Sequence, residues 1–439
     1  MSIKPEEVHK TLGKYMLVDG FDLVLDLKKS KGCQIYNSKT GKYILDCFSF
    51  FASAPLGCNH PKLTTPKYIK KFGELSVNKP TNSDIYTTEM AEFVDSFVKH
   101  AVPNYLPHLF FVSGGALGIE NALKTAFDWK IRKNIEKGKD EKLGTQVIHF
   151  KEAFHGRTGY TLSLTNTFNL NKTKYFPKFD WPRITNPKII FPLNNENLDN
   201  VKNLEKQAIS EIEKAISESS DDIAALIIEP IQGEGGDNHF RKEFFLELRK
   251  ICNKNEIMFI LDEVQTGVGL TGKMWAHEHF DFKPDILAFG KKTQVCGCMV
   301  SNRVNEVKDN VFNVSSRLNS TWGGNLIDMV RCQKYLEVIK EENLINNAEV
   351  QGKILHEGLI DLQKKYSDKI LNARGLGLMC AFDCYTTEKR DKLQKQLYNN
   401  DLIVITCGSK TIRFRPPLII NSEEIKQALS IIDNTLGQF

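Results

Sequence analysis

The sequence predicts an α/β fold: a mostly parallel sheet flanked by helices as a large domain, with a smaller α+β domain built from both termini. Three observations predict it. Short apolar, β-rich runs alternate with longer helical patterns through the middle of the chain, the two ends break that alternation, and the residues that could carry chemistry follow the ends of the apolar runs.

The expected strands are residues 109–112, 146–150, 223–228, 257–261, 285–289 and 298–301. Between them, residues 202–218 carry Leu204, Ala208, Ile209, Ile212 and Ile216 at three- and four-residue spacing, so one face of a helix should lie on the sheet. Residues 16–58 hold turn signals at 30–33 and 37–42 between β-like runs, which suggests a small meander. After about residue 335 the order reads helix, helix, short strands, helix. The last helix is announced by Asn421 with Glu424, a capping box with asparagine as the cap, and then by Ile425, Leu429 and Ile432 on one face. The expected domain limits are 1–61 and 331–439 for the two parts of the small domain and 62–330 for the large one.

The composition fits such a protein. With 439 residues, 41% apolar and 26% charged, the chain is long enough for two or three domains around a large core. Its net charge of +5 comes from 59 basic and 54 acidic residues without a long run of one sign, so neither a nucleic-acid nor a membrane partner is indicated. The N-terminal residues lack a charged start followed by an apolar stretch, and no segment approaches the ~18 apolar residues of a membrane span, so a cytoplasmic location is expected. Ten scattered cysteines show no paired Cys-x-x-Cys spacing, which points to reduced thiols and no metal.

Asp262 closes the apolar strand 257–261, and strand 285–289 runs into Gly290-Lys291-Lys292. A carboxylate at one strand end can keep a pyridine nitrogen protonated while a lysine at a neighbouring end forms a Schiff base. Together they would make a pyridoxal 5'-phosphate ring an electron sink. Ser113-Gly114-Gly115-Ala116, between a strand and a helix, offers N–H groups to a phosphate. Phe154, His155 and Arg157 come shortly after strand 146–150; an aromatic can stack on a ring, and an arginine can grip a carboxylate through two parallel hydrogen bonds. Singly, each has an ordinary structural explanation: a strand-end cap, a tight turn, a core phenylalanine, a surface arginine. All of them follow strand ends, where sites on parallel sheets form.

Two other glycine-rich matches fail on context. Gly267-Val268-Gly269-Leu270-Thr271-Gly272 fits G-x-G-x-x-G but does not open a helix after a first strand, and the overlapping near-match to a nucleotide phosphate loop has Met274 where a metal-binding serine or threonine is needed. Both are expected to be parts of one glycine-rich loop.

In order along nearly the whole chain, Ser113 to Ala116, Phe154 to Arg157, Glu229 to Gly236, Asp262 to Gly267, Gly290-Lys291, Ser320 to Asn325 and Arg413-Phe414 resemble the class III aminotransferases of the fold type I pyridoxal phosphate family. The resemblance implies a seven-stranded sheet in the large domain. It also implies Gly115 and Ala116 at the phosphate, Phe154 and Val264 on the two ring faces, Asp262 at the pyridine nitrogen and Gln265 at the phenolic oxygen. Lys291 would be the catalytic lysine; adjacent residues on an extended chain end point opposite ways, so Lys292 should point elsewhere. Thr321 would reach the phosphate of a neighbouring subunit, which implies a homodimer with shared active sites.

Asn78 to Asp84, Lys291 to Gly297, Arg317 to Trp322 and Arg413 to Leu418 are similar to the branch of that class that acts on the side-chain amine of L-lysine, with 2-oxoglutarate as acceptor and L-glutamate as product. Leu270, where many members have arginine, and Val295-Cys296-Gly297, in place of a common Gly-Gly, favour that branch. The resemblance implies that Glu234 pairs with Arg413 when lysine is bound and swings away to free Arg413 for the α-carboxylate of glutamate. Arg157 would hold the far carboxylate, and Asn319 of the other subunit would orient the lysine α-amino end. A transaminase acting on 4-aminobutyrate or ornithine shares this apparatus. A non-catalytic, ligand-sensing protein of the same fold is a further alternative, against which Lys291 and Asp262 both stand.

Overall fold

Strand residues 223–228 and 258–262 are all buried, and alternate side chains leave the sheet on opposite sides. Leu226, Ile228, Phe259 and Leu261 pack with Ala208, Ile212 and Phe245; Ala225, Ile227, Met258 and Ile260 pack with Ile119, Leu123 and Trp129. A sheet covered on both faces requires strands that are apolar throughout, which is why these segments read as unbroken runs. Truncating a ring such as Phe259 at this position costs ~3–5 kcal/mol.

The computed structural model describes residues 3–439. Met1 and Ser2, the first residues of the expected 1–61 segment, lie outside them. An N-terminal hairpin, β1 (Gln34–Asn37) and β2 (Lys42–Asp46), forms the meander. The central sheet comprises β3 (His108–Val112), β4 (Gln146–Phe150), β5 (Arg183–Ile184) and β6 (Ile223–Ile228). After a small hairpin, β7 (Ile231–Gln232) and β8 (Asn238–His239), it adds β9 (Met258–Asp262), β10 (Ile286–Phe289) and β11 (Cys296–Val300). Its order is β3-β11-β10-β9-β6-β4-β5, with β11 antiparallel to both neighbours and the rest running one way, so this is a seven-stranded, mostly parallel sheet. The strand expected at 298–301 is therefore β11, and β5, two residues long at the edge, is too short to leave a periodic signal.

The helix expected at 202–218 spans Asn195–Ser219. It starts earlier because Asn194 caps it, its side chain accepting from Asn197 N at 2.9 Å, while a polar first turn hides the start from hydrophobic periodicity. Toward the C-terminus, β12 (Ile370–Leu376), β13 (Met379–Cys384), β15 (Ile405–Cys407) and β16 (Thr411–Phe414) make an antiparallel sheet, while β14 (Leu402–Ile403) pairs with β2, tying the two chain ends together. The final helix, Ser422–Gln438, has the capping box expected of Asn421 and Glu424. Among the described residues no helix is long and apolar enough to cross a membrane.

Candidate active site

The parallel strands deliver their C-terminal ends to one cavity of about 310 Å3, lined by Gly115, Ala116, Phe154, His155, Gly156, Arg157, Glu229, Glu234, Asp262, Val264, Gln265 and Lys291. Asp262 is the last residue of β9 and is held on both oxygens: Oδ1 accepts from Val264 N at 3.0 Å, and Oδ2 is 2.8 Å from His155 Nδ1. Glu229, immediately after β6, accepts from Phe154 N and Gly233 N, each at 3.0 Å, and so joins the two loops that form the cavity wall. Its carboxyl is raised above the usual range by burial, with the Asp262 charge acting in the same direction against the opposing effect of His155.

Backbone replaces side chains where the cavity is tightest. A Cβ on Gly115 would lie 3.0 Å from Val264 Cγ1, and one on Gly156, which has φ 131°, would lie 2.6 Å from Ala116 Cβ. The helix Gly115–Glu136 begins here, its first intrahelical bond running from Gly118 N to Gly114 O, so the N–H groups of Gly115 and Ala116 have no acceptor within the helix.

The adjacent lysines have separate fates. Lys291 lines the cavity, and burial, reinforced by the Arg413 guanidinium, pushes its ammonium down to about 8. Lys292 turns into the protein and donates to Gln265 O at 2.6 Å and Ala52 O at 3.4 Å; burial and the neighbouring cations Lys291 and Arg415 hold it well below the ordinary lysine range. The two diverge for a reason other than strand alternation. Lys291–Thr293 is a 3-10 turn and Lys291 has φ 52°, so the extended geometry expected here is absent.

Charge dominates the opposite wall. Glu234, in the turn between β7 and β8, accepts from Arg413 Nη2 at 2.9 Å through Oε2, while its Oε1 pairs with Lys172. Gln265 Oε1 lies 3.4 Å from Arg413 Nη1 and 3.3 Å from Arg415 Nε. Two guanidiniums on the amide oxygen leave the NH2 end to donate elsewhere. Arg157 is exposed and pairs with no carboxylate among the described residues.

Comparison with known proteins decides the family. The Aminotransferase class-III profile matches residues 16–436. The chain belongs to the class III aminotransferases. It is 50% identical over 433 residues to L-lysine-epsilon aminotransferase of Mycobacterium tuberculosis, covering 98% of this chain and 96% of the relative. A solved structure of lysine aminotransferase from M. tuberculosis in the internal aldimine form superimposes with a TM-score of 0.97 at 50% identity, covering 99% of this chain and 100% of that one. Human mitochondrial 4-aminobutyrate aminotransferase is more distant, 32% identical over 455 residues, covering 99% of this chain and 89% of the relative.

Class III aminotransferases depend on pyridoxal 5'-phosphate, and this aminotransferase has residues that fit it: an amine and a carboxylate facing one cavity, free N–H groups at a helix start, and backbone packed too closely for a Cβ. Of the residues expected at the site, Gly115, Ala116, Phe154, Arg157, Glu234, Asp262, Val264, Gln265 and Lys291 line the cavity, and Arg413 reaches it through Glu234 and Gln265. Asn319 and Thr321 do not line it within one chain; both are exposed in the segment before the helix Leu326–Glu341.

Glu229, His155 as the partner of Asp262, and Lys172 were not assigned roles from sequence. Glu229 had a usable signal, since it ends an apolar strand as Asp262 does; Lys172 had none. The loop 267–272 closes on itself, Val268 N donating to Met274 O at 2.6 Å, and a Cβ on Gly267 would lie 2.3 Å from the Trp275 ring, so its glycines serve packing. A larger cavity of about 670 Å3 opens beside Gly235 and Gly236 but contains none of the amine, carboxylate and helix-start groups gathered at Lys291.

Proposed function

We propose that this aminotransferase transfers the ε-amino group of L-lysine to 2-oxoglutarate, giving L-glutamate and 2-aminoadipate 6-semialdehyde, which cyclises to a piperideine carboxylate. The choice of lysine is carried by the 50% identity to L-lysine-epsilon aminotransferase against 32% to a 4-aminobutyrate enzyme, and Glu234 on Arg413 supports the alternation of amine and carboxylate that the exchange needs. A carboxylate that neutralises the buried guanidinium makes the inner pocket tolerant of a side-chain amine, and its removal would free a bidentate site for an α-carboxylate.

Bound in the cavity, pyridoxal 5'-phosphate supplies a ring that takes up the electron pair released when a C–H bond beside the reacting nitrogen breaks. The chain's residues do the rest. Gly115 and Ala116 would hold the phosphate with backbone N–H groups, and Phe154 and Val264 would clamp the ring. Asp262, itself fixed by His155 and Val264 N, would hold a proton on the pyridine nitrogen. Gln265 would donate from the NH2 left free by its arginine contacts to the phenolic oxygen. Lys291 would hold the cofactor through its Nζ and, once that nitrogen is free, would carry the proton taken from the lysine ε-carbon, a task suited to an amine already lowered to about 8.

Arg157 binds the far carboxylate: the α-carboxylate of lysine or the γ-carboxylate of glutamate. Thr321 and Asn319 belong to the neighbouring subunit's site in a homodimer, consistent with their exposure outside the cavity of their own chain. The 1–61, 62–330 and 331–439 division is part of the same proposal; the β2–β14 pairing supports joining the two ends, and the helix Leu326–Glu341 runs across the second limit. A cytoplasmic location fits ten free cysteines, nine of them buried.

The test is to incubate purified holoenzyme with 2-oxoglutarate and, separately, L-lysine, L-ornithine or 4-aminobutyrate, measuring glutamate and the product trapped by 2-aminobenzaldehyde. Fastest glutamate formation with lysine is expected. Preference for either other donor would remove the substrate assignment.

A further inference from the structure

Glu234 is shared between two cations of different character. Arg413 is fixed in β16 with its side chain 2% exposed, whereas Lys172 ends a short 3-10 turn, Leu170–Lys172, with its side chain 28% exposed and its ammonium 5.8 Å from the centre of the Phe154 ring. One carboxylate oxygen faces each of them.

We propose that Lys172 is a positioning residue that gives Glu234 a second place to rest, so that one pocket can alternate between an amine-bearing and a carboxylate-bearing substrate. This rests on the proposed exchange of lysine and glutamate in a single site. If Arg413 were its only partner, Glu234 would have to leave an ion pair and remain a mostly buried, unpaired anion, which low-dielectric surroundings strongly disfavour. With Lys172 in place the carboxylate gives up one of two partners and stays paired through the other. Arg413 is then released without an isolated charge being created.

The direction of the effect follows. Removing Lys172 leaves Glu234 on Arg413, masking the guanidinium that an incoming α-carboxylate needs. A dicarboxylate must then compete with Glu234, while an amine donor, which requires Glu234 where it already is, meets no new obstacle.

The test is a set of single half-reactions on the holoenzyme with L-glutamate and with L-lysine, for wild type, Lys172→Met, Lys172→Arg, Glu234→Ala and the double variant Lys172→Met/Glu234→Ala. Lys172→Met is expected to raise the concentration of glutamate needed for half-maximal rate about tenfold more than that of lysine, with the limiting rate less affected. Lys172→Arg should restore most of that loss, because it keeps a cation within reach of Glu234. In the Glu234→Ala background the Lys172 substitution should change the glutamate value by less than about twofold.

Persistence of the full tenfold effect without Glu234 would mean that Lys172 contacts the substrate itself, and would overturn the proposal. Equal losses with both substrates, in rate as well as affinity, would mark a structural role and overturn it too. If wild type converts glutamate but not lysine, the donor assignment fails, while the glutamate series still decides whether Lys172 acts through Glu234.

Discussion

The two sides of the cavity hold charge in opposite ways. On the sheet side Asp262, His155 and Glu229 are buried, and each carboxylate has two fixed donors or partners supplied by neighbouring strand ends and loops. On the other side Glu234 divides itself between a rigid arginine and a lysine on a partly exposed turn, and Arg157 has no ion-pair partner among the described residues. Over-determined groups suit a step whose electrostatics must be the same for every substrate. Shared and free charges suit the part of the site that must meet substrates of opposite polarity. The difference separates the chemistry from the choice of substrate.

Substitutions on the sheet side should therefore reduce both half-reactions together. Lys291→Ala is expected to have the largest effect, lowering turnover with either substrate by ~10⁴-fold or more, because it removes both the attachment point and the proton carrier. Stopped-flow absorbance with lysine and with glutamate would measure it, and near-normal turnover would show that Lys292 or another group does this work. Asp262→Ala should come next, costing about 4 kcal/mol, or roughly 10³-fold, in both half-reactions; a loss confined to one substrate would break the separation of the two sides.

A smaller effect is expected from pH. Burial holds the Lys291 ammonium at about 8, below its ordinary value, so it loses its proton earlier as pH rises. In protein stripped of cofactor, the rate of reloading with pyridoxal 5'-phosphate should climb about tenfold between pH 7 and 9, following the neutral amine through a midpoint near 8. A midpoint above 10 would mean that the cavity does not depress this amine.

Much of the sheet side was legible in the sequence because its signals are local. Asp262 and Lys291 stand at the ends of apolar strands, and Gly114-Gly115 marks a strand-to-helix turn. The fate of Lys292 was read correctly for the wrong reason, since a 3-10 turn with a left-handed Lys291 separates the two side chains. His155 and Glu229 were within reach of the same logic but depend on contacts between separate strands. The charged side was harder to read: pairing Glu234 with Arg413 came from family resemblance, and Lys172 lies in a polar loop with nothing in its neighbours to mark it. A role set by a partner far along the chain leaves no periodicity to find.

The most direct test of the division between fixed chemistry and switchable polarity is the Glu234→Ala holoenzyme, followed by cofactor absorbance in single turnovers with L-lysine and with L-glutamate. The expected result is a loss in the lysine half-reaction at least about ten times that in the glutamate half-reaction, because the unmasked Arg413 repels an amine but still accepts an α-carboxylate. Equal losses in the two half-reactions would contradict it.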